Sequence, residues 1–466
     1  MTSVDRSDLE GSMISTDPQT AASESASNFA AHWFPVAFRR DLEPGRVERV
    51  SVLGRALALF LDAAGAPTAL VDRCPHRSAR LSDGRVRDGT LECLYHGWRF
   101  DRTGRCVDAP QQTKGVALPE RACAQSVPIR VEQGVVWVWC GAPGREASHG
   151  LPTVAGLEHP SVHTIDFTMD LPYGQDYFIE NVLDVAHIHV AHSGTRGGGD
   201  RRLAGPLEIK IDSAGPAGFV ANFRTLGLEQ APRTSGLRRA GVEFRAPNLV
   251  HFVSEFEDPQ LISGLALYSI PTDAGGCRML YRAYGNLWSA KDRKRPRWLE
   301  HVNQCYLLEE DMAVVRGQAQ EIDGSRESLA KMWAPLRSSD PLVLRYREWV
   351  EQHAADRPGA VGLREVGARG VLTQEAKFDR WTLHTRHCVD CRAAQARLAR
   401  RAAHLSTSSF VALAIAAAAS GPLAWGGAAL ALALRGLAHR DRRSALELTR
   451  ERDVHASHSA ELHDVG

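Results

Sequence analysis

Hydrophobic and polar positions alternate with a period of two over VERVSVL (47–53), RALALFLD (55–62) and PTALVD (67–72), with glycine-bearing turns at Gly54 and Gly65. Successive side chains of a strand point to opposite faces, so this pattern predicts half-buried strands. IRVEQGVVWVWC (129–140) repeats it on either side of Gln133-Gly134 and predicts a hairpin. The period then lengthens, and YFIENVLDVAHIHVAH (177–192) reads as helix. Four or five strands follow, at LEIKID (207–212), FVANFRT (219–225), LVHFVSEF (249–256), LALYSI (265–270) and RMLYRAYG (278–285), and then a long amphipathic helix over roughly 296–320. Residues 321–385 are less regular, 405–437 are apolar, and 438–466 form a charged tail with no internal repeat anywhere in the chain. Proline and glycine around 142–152 mark a boundary. The fold class is α+β: a small all-β domain over 29–145, then a domain over 146–385 with an antiparallel sheet wrapped on a helix.

A length of 466 residues fits more than one domain. With 56 Lys+Arg against 55 Asp+Glu the formal charge is +1, which argues against a protein that holds nucleic acid by bulk electrostatics. A hydrophobic content of 44% excludes a disordered chain. Only the segment near the C-terminus is apolar enough to meet a bilayer, which excludes a polytopic membrane protein. Nine scattered cysteines do not form the framework of a disulfide-rich secreted domain; two short clusters favour metal or redox use in a reducing compartment. Residues 1–28 lack the apolar core of a signal peptide, and Asp5, Asp8, Glu10 and Asp17 run against a transit peptide, so a disordered tail is expected there.

The first candidate chemistry is CPHR (74–77) and CLYHGW (93–98), in which Cys74, His76, Cys93 and His96 supply two thiolates and two imidazoles from two loops. Such a set suits a tetrahedral zinc or a [2Fe–2S] cluster. Each loop gives one Cys and one His, as a diiron cluster needs if each loop reaches both irons. Pro75, Tyr95, Gly97 and Trp98 resemble the Rieske loops of ring-hydroxylating oxygenases. The cytochrome-complex type carries an extra Cys in each loop, and neither loop has one.

The second is ENVLDVAHIHVAH (180–192). Its D-x₂-H-x₄-H spacing resembles the mononuclear iron site of the same oxygenases, with His187 and His192 as ligands. Asp184 and His187, at i and i+3, would share a helix face, whereas His187 and His192 converge only if the helix ends or widens between them. Two His and one carboxylate on one face of Fe(II) leave positions open for O₂ and substrate. The carboxylate candidates are Glu309, Glu310 and Asp311 in LLEEDMAVVRGQ, and the resemblance selects Asp311. His189 reads as structural or pocket-lining.

The third is HTRHCVDC (384–391), whose Cys388 and Cys391 precede the apolar stretch. Together with HWFPVAF (32–38), this arrangement resembles the pheophorbide a oxygenase group of Rieske oxygenases, over about residues 30–437. The resemblance implies a Rieske domain followed by a helix-grip catalytic domain, a [2Fe–2S] cluster and a mononuclear Fe(II). It implies a monooxygenase using O₂ and an external ferredoxin or reductase on a hydrophobic ring substrate, best a chlorophyll-derived tetrapyrrole such as pheophorbide a. Other aromatic or polycyclic substrates, or a redox-sensing component of a membrane complex, are the alternatives. It also gives Asp184 a bridging role, its carboxylate bonded to an iron-ligand imidazole and to His96 of a neighbouring subunit in a head-to-tail homotrimer. Cys388 and Cys391 are expected to form a reversible disulfide, with Arg386, His387 and Arg392 nearby to lower a thiol pKa.

Residues 386–404 read as a basic juxtamembrane segment and 405–437 as the membrane segment. Two runs of 12–15 residues, Leu405–Ala419 and Leu423–Leu434, are interrupted at Ser420-Gly421-Pro422. Arginine clusters on both flanks favour a shallow hairpin over a single span, with the catalytic domain on the cytoplasmic or stromal side.

Overall fold

A computed structural model describes residues 29–194, 199–224, 236–272, 275–355, 357, 360–364 and 379–450. The tail expected at 1–28, and residues 451–466 of the charged tail expected at 438–466, lie outside the described residues, whereas 438–447 are helical.

The N-terminal part carries three small antiparallel sheets. Trp33–Phe38 pairs with Val135–Trp139, which pairs with Ile129–Glu132. Between the last two, Gln133 (φ 48°) and Gly134 (φ 74°) both take the left-handed conformation that a two-residue hairpin turn requires. Glu48–Val52, Arg55–Leu61 and Pro67–Val71 form the second sheet, with Ser126–Val127 at its edge. The third holds Arg85–Arg87, Thr90–Glu92, Arg99–Phe100 and Cys106–Asp108, strands of two or three residues that are too short for alternation to reveal. Leu81, Leu91 and Phe100 build a separate core there with Cys74 and Cys93.

The second part is built on one seven-stranded antiparallel sheet, ordered His163–Leu171, Cys277–Gly285, Ser263–Pro271, Leu249–Phe256, Leu237–Arg245, Gly218–Arg224, Glu208–Gly215. Two of these strands carry no clear alternation. His163–Leu171 is interrupted by Asp166 and Asp170, which face Arg282 and Arg278 across the register and bond to them at 2.6 Å each. Leu237–Arg245 is obscured by Arg238, Arg239 and Gly241.

Five helices of eight or more residues are described: α1 (Gln175–Leu183), α2 (Arg297–Gly324), α3 (Pro341–His353), α4 (Val389–Ala418) and α5 (Pro422–Glu447). Met312, Val315, Ala319 and Ile322 of α2 share one core with Phe167 and Met169 of the sheet. The less regular stretch hides α3, which starts with Pro341 where a proline's missing N–H costs nothing. Buried polar bonds tie α3 to α1: Arg347 Nε donates to Glu180 at 2.7 Å and Tyr346 donates to Asp176 at 2.8 Å.

The C-terminal helices fold back on each other. The reversal occupies residues 419–421, where Gly421 has φ 64°, and Pro422 opens α5. Small residues allow a close approach: Ala412, Ala416, Ala431 and Ala438 are buried, and a Cβ on Gly427 would stand 2.8 Å from that of Ala416. The helices are longer than the apolar runs, with 30 and 26 residues, because their polar halves dock on the rest of the chain. Tyr306 of α2 donates to Glu447 at 2.6 Å. Among the described residues no helix is long and apolar enough to cross a membrane.

Candidate metal centres

Cys74 and Cys93 occupy equivalent places in two loops of the same construction. In each, the cysteine carbonyl accepts from the N–H four residues on, Ser78 or Gly97, at 2.9 Å. The cysteine N–H donates to the carbonyl five residues on, Ala79 at 2.8 Å or Trp98 at 2.9 Å. The fourth residue is left-handed in both, Ser78 at φ 59° and Gly97 at φ 74°. The repeat aims both sulfurs inward, where each cysteine is 2% exposed, and carries His76 and His96 to the surface. Their rings meet edge to face at 4.4 Å between centroids, with His76 stacked on Trp98. Gln111 holds the second loop by donating to the His96 carbonyl at 2.9 Å. Burial and the adjacent Cys93 thiol push the Cys74 thiol up to about 11. Two sulfurs inside and two imidazoles outside are the donor set of a Rieske [2Fe–2S] cluster.

At the second centre the helix is interrupted earlier than the i,i+3 reading supposes. α1 stops at Leu183, Asp184 turns away at φ −79°, ψ 85°, and one helical turn resumes at Ile188–Ala191. Asp184 and His187 therefore do not share a regular helix face. The interruption frees the Asp184 carbonyl, which accepts the Nδ1–H of His187. The Asp184 carboxylate accepts from the Ala186 N–H at 3.0 Å and stands 4.0 Å from His187 Nδ1, so within the chain the backbone, not the carboxylate, orients this ring.

His192 donates from Nδ1 to Glu310 at 2.9 Å. Both rings thereby present Nε2 to Asp311, at 3.6 Å from His187 and 3.2 Å from His192, and the three donor atoms lie within 4.8 Å of one another. Burial opposes charge on His192, but its bonds to Asp311 and Glu310 outweigh it and hold the ring up at about 9. His189 turns aside and accepts from the Asp200 N–H at 3.3 Å, the structural role expected of it.

The acidic run separates by direction around the helix. Glu309 faces Arg380, with a bond of 2.9 Å, in a pair 2% and 1% exposed; Glu310 takes His192; Asp311 takes the centre. Sequence order does not distinguish Glu310 from its neighbours. A cavity of about 560 Å³ opens beside Asp184, His187 and Asp311, walled by Val314, Val315, Met332, Trp333 and Val343. Met332 and Trp333 carry no sequence signal beyond being apolar. Cys388 and Cys391 lie apart from both centres, as buried free thiols at the foot of α4.

The family model "Rieske [2Fe-2S] domain" matches residues 32–128, and that for "Pheophorbide a oxygenase" matches residues 244–328. The chain is 30% identical to Protein TIC 55, chloroplastic, of Arabidopsis thaliana, over 73% of this chain and 62% of that protein. It is 32% identical to Pheophorbide a oxygenase, chloroplastic, of Oryza sativa subsp. japonica, over 81% of this chain and 75% of that one. The crystal structure of dicamba monooxygenase bound to 3,6-dichlorosalicylic acid shares the fold, with a TM-score of 0.57 at 21% identity over 70% of this chain and 98% of that one. The chain belongs to the Rieske non-haem iron oxygenases of the pheophorbide a oxygenase and TIC 55 group, oxidoreductases that act with O₂ and carry a [2Fe–2S] cluster and a mononuclear iron.

Proposed function

We propose that this protein is a monooxygenase of a chlorophyll-derived tetrapyrrole such as pheophorbide a. In this reading Cys74, His76, Cys93 and His96 hold the cluster, and His187, His192 and Asp311 hold the iron. The observation that carries it is the largely apolar cavity that opens on His187 and Asp311, two of the three grouped donors. When bound, the cluster supplies electrons one at a time and the iron activates O₂. The Asp184 carbonyl and Glu310 keep both imidazole Nε2 lone pairs aimed at one point. Val314, Trp333 and Val343 exclude water and take an apolar ring face. The pheophorbide a oxygenase relative supports the substrate class. The catalytic half is a helix-grip domain, a reading supported by the packing of α2 against the seven-stranded sheet. The test is aerobic turnover with a ferredoxin or reductase, on a panel of tetrapyrroles and smaller aromatics, read by product mass. Gain of one oxygen atom by a tetrapyrrole is the expected result. Oxygenation of a smaller aromatic alone would overturn the substrate class, and no oxygenated product at all would overturn the activity.

The C-terminal hairpin lies shallowly in a membrane surface, its tip in the lipid and its base beside the catalytic domain on the cytoplasmic or stromal side. What supports this is the tip: Phe410, Ile415, Leu423, Trp425 and Leu432 are 63–80% exposed on facing ends of α4 and α5. Arg397, Arg400, Arg401, Arg440, Arg442 and Arg443 gather toward the opposite end, where both helices remain on the side that basic flanks prefer. Burying one such side chain is worth roughly 1.5–3 kcal/mol, so Leu423→Glu with Trp425→Glu should abolish flotation with liposomes. Unchanged flotation of the double variant, or release of the wild type by salt alone, would remove the hairpin from the membrane.

A further inference from the structure

Four donor side chains outside both centres converge at the foot of the hairpin. His301 comes from the second turn of α2, His384 from the segment before α4, Cys388 from the N-cap of α4 and Cys391 from its first turn. His301 Nδ1 stands 3.1 Å from His384 Nε2 and 3.4 Å from each sulfur, and His384 Nε2 is 3.2 Å from the Cys391 sulfur. All four atoms lie within 4.8 Å of one another. The edges of a tetrahedron around zinc, with bonds of about 2.0 Å to nitrogen and 2.3 Å to sulfur, are roughly 3.3–3.8 Å. The observed spacings are therefore close to the edges of a zinc coordination shell.

We propose that His301, His384, Cys388 and Cys391 form a structural Zn²⁺ site of the Cys₂His₂ type. Three observations and a charge argument agree on it. No residue of the four is more than 1% exposed, so no position is left open to solvent or substrate, as in structural sites. His384 donates its other ring nitrogen to the Thr168 carbonyl at 2.6 Å, which turns the Nε2 lone pair toward the cluster, the usual support of a metal-bound imidazole. Phe167 packs against both imidazoles, stacked on His384 at 4.1 Å and edge-on to His301 at 5.2 Å, and fixes both ring planes. Finally, Zn²⁺ with two thiolates is neutral, so the site leaves no net charge in a buried place. Loading is balanced: two thiols and Zn²⁺ give two Zn–S bonds and release two protons, with no change of oxidation state. A reversible disulfide is the rival use of the same sulfurs; it would leave two buried imidazoles facing a bond that needs neither.

The site joins the elements that matter for turnover. His301 lies on the helix that carries Asp311, Thr168 is on the strand beside it, and Cys388 and Cys391 begin the hairpin. Zinc would hold the hairpin in fixed register with the catalytic helix.

The test reads metal rather than activity, so it stands apart from the proposed oxygenase reaction. The full chain, isolated anaerobically, should contain one zinc per chain beside its irons. Grown on cobalt, it should show the d–d bands of tetrahedral Co²⁺ with thiolate-to-metal charge transfer. Cys391→Ser and His384→Ala should each lose zinc while keeping the visible spectrum of the Rieske cluster. The wild-type cobalt spectrum remains decisive if those variants fail to fold. Substoichiometric zinc with no tetrahedral cobalt signal, or a Cys388–Cys391 disulfide in the freshly isolated protein, would overturn the site.

Discussion

Replacing Asp311 with Ala should strip the mononuclear iron and abolish turnover while leaving the visible spectrum of the Rieske cluster intact. Among the described residues Asp311 is the one carboxylate whose oxygen lies within reach of both His187 Nε2 and His192 Nε2. Without it two imidazoles remain as donors, and no ligand carries a negative charge to offset a divalent cation. The neighbouring acids give graded controls. Glu310→Gln keeps a hydrogen-bond acceptor for His192 but removes the charge behind the ring, and should weaken iron binding by roughly 10- to 100-fold. Glu309→Gln should leave iron binding alone and lower stability, because it breaks a fully buried pair with Arg380; loss of one partner of such a pair costs about 3–5 kcal/mol. Iron content by mass spectrometry of the metal, together with a denaturant melt, separates the three. Wild-type iron content in Asp311→Ala would mean that the third ligand is another residue.

Asp184→Asn should retain both iron centres and lose about 100-fold or more in single-turnover rate. Its carboxylate is a third exposed at the edge of the cavity, two residues from the backbone bond that fixes it. One oxygen is held by Ala186, and the other is not within bonding distance of His187. That leaves it able to accept from an imidazole arriving from outside the chain. His96 is half-buried on the rim of the cluster loops with Leu94 and Tyr95 more than half exposed beside it, a surface suited to such a contact. The bridge requires a head-to-tail assembly, and sedimentation should give the trimer mass that the family resemblance implies. A monomer with full turnover, or an Asp184→Asn variant as fast as wild type, would remove the bridge.

The apolar runs around 47–72 and 129–140 determined the first sheets because they are strand-length and turn at glycines that accept a positive φ, although packing buries Leu57–Leu61 and Val135–Trp139 on both faces where alternation predicts one wet face. The two Cys–His loops were legible for a related reason: within each loop the Cys and His lie two or three residues apart, and Gly97, which fixes one loop's bend, directly follows His96. The strand at His163–Leu171 was not legible, since its aspartates become compatible with burial only when Arg278 and Arg282 face them from a strand more than a hundred residues away. The same distance hid the fates of Glu309, Glu310 and Asp311. Adjacent positions on a helix differ by about 100° in direction, and only packing decides which direction meets Arg380, His192 or the centre. It also hid the partners of Cys388 and Cys391, because His301 is 87 residues from Cys388 and reaches it only through the docking of α4 on α2. Local pattern fixes what a segment with one clear period becomes, whereas the chemistry of a buried polar side chain, and the strand that carries it, are fixed by whatever the tertiary fold sets opposite.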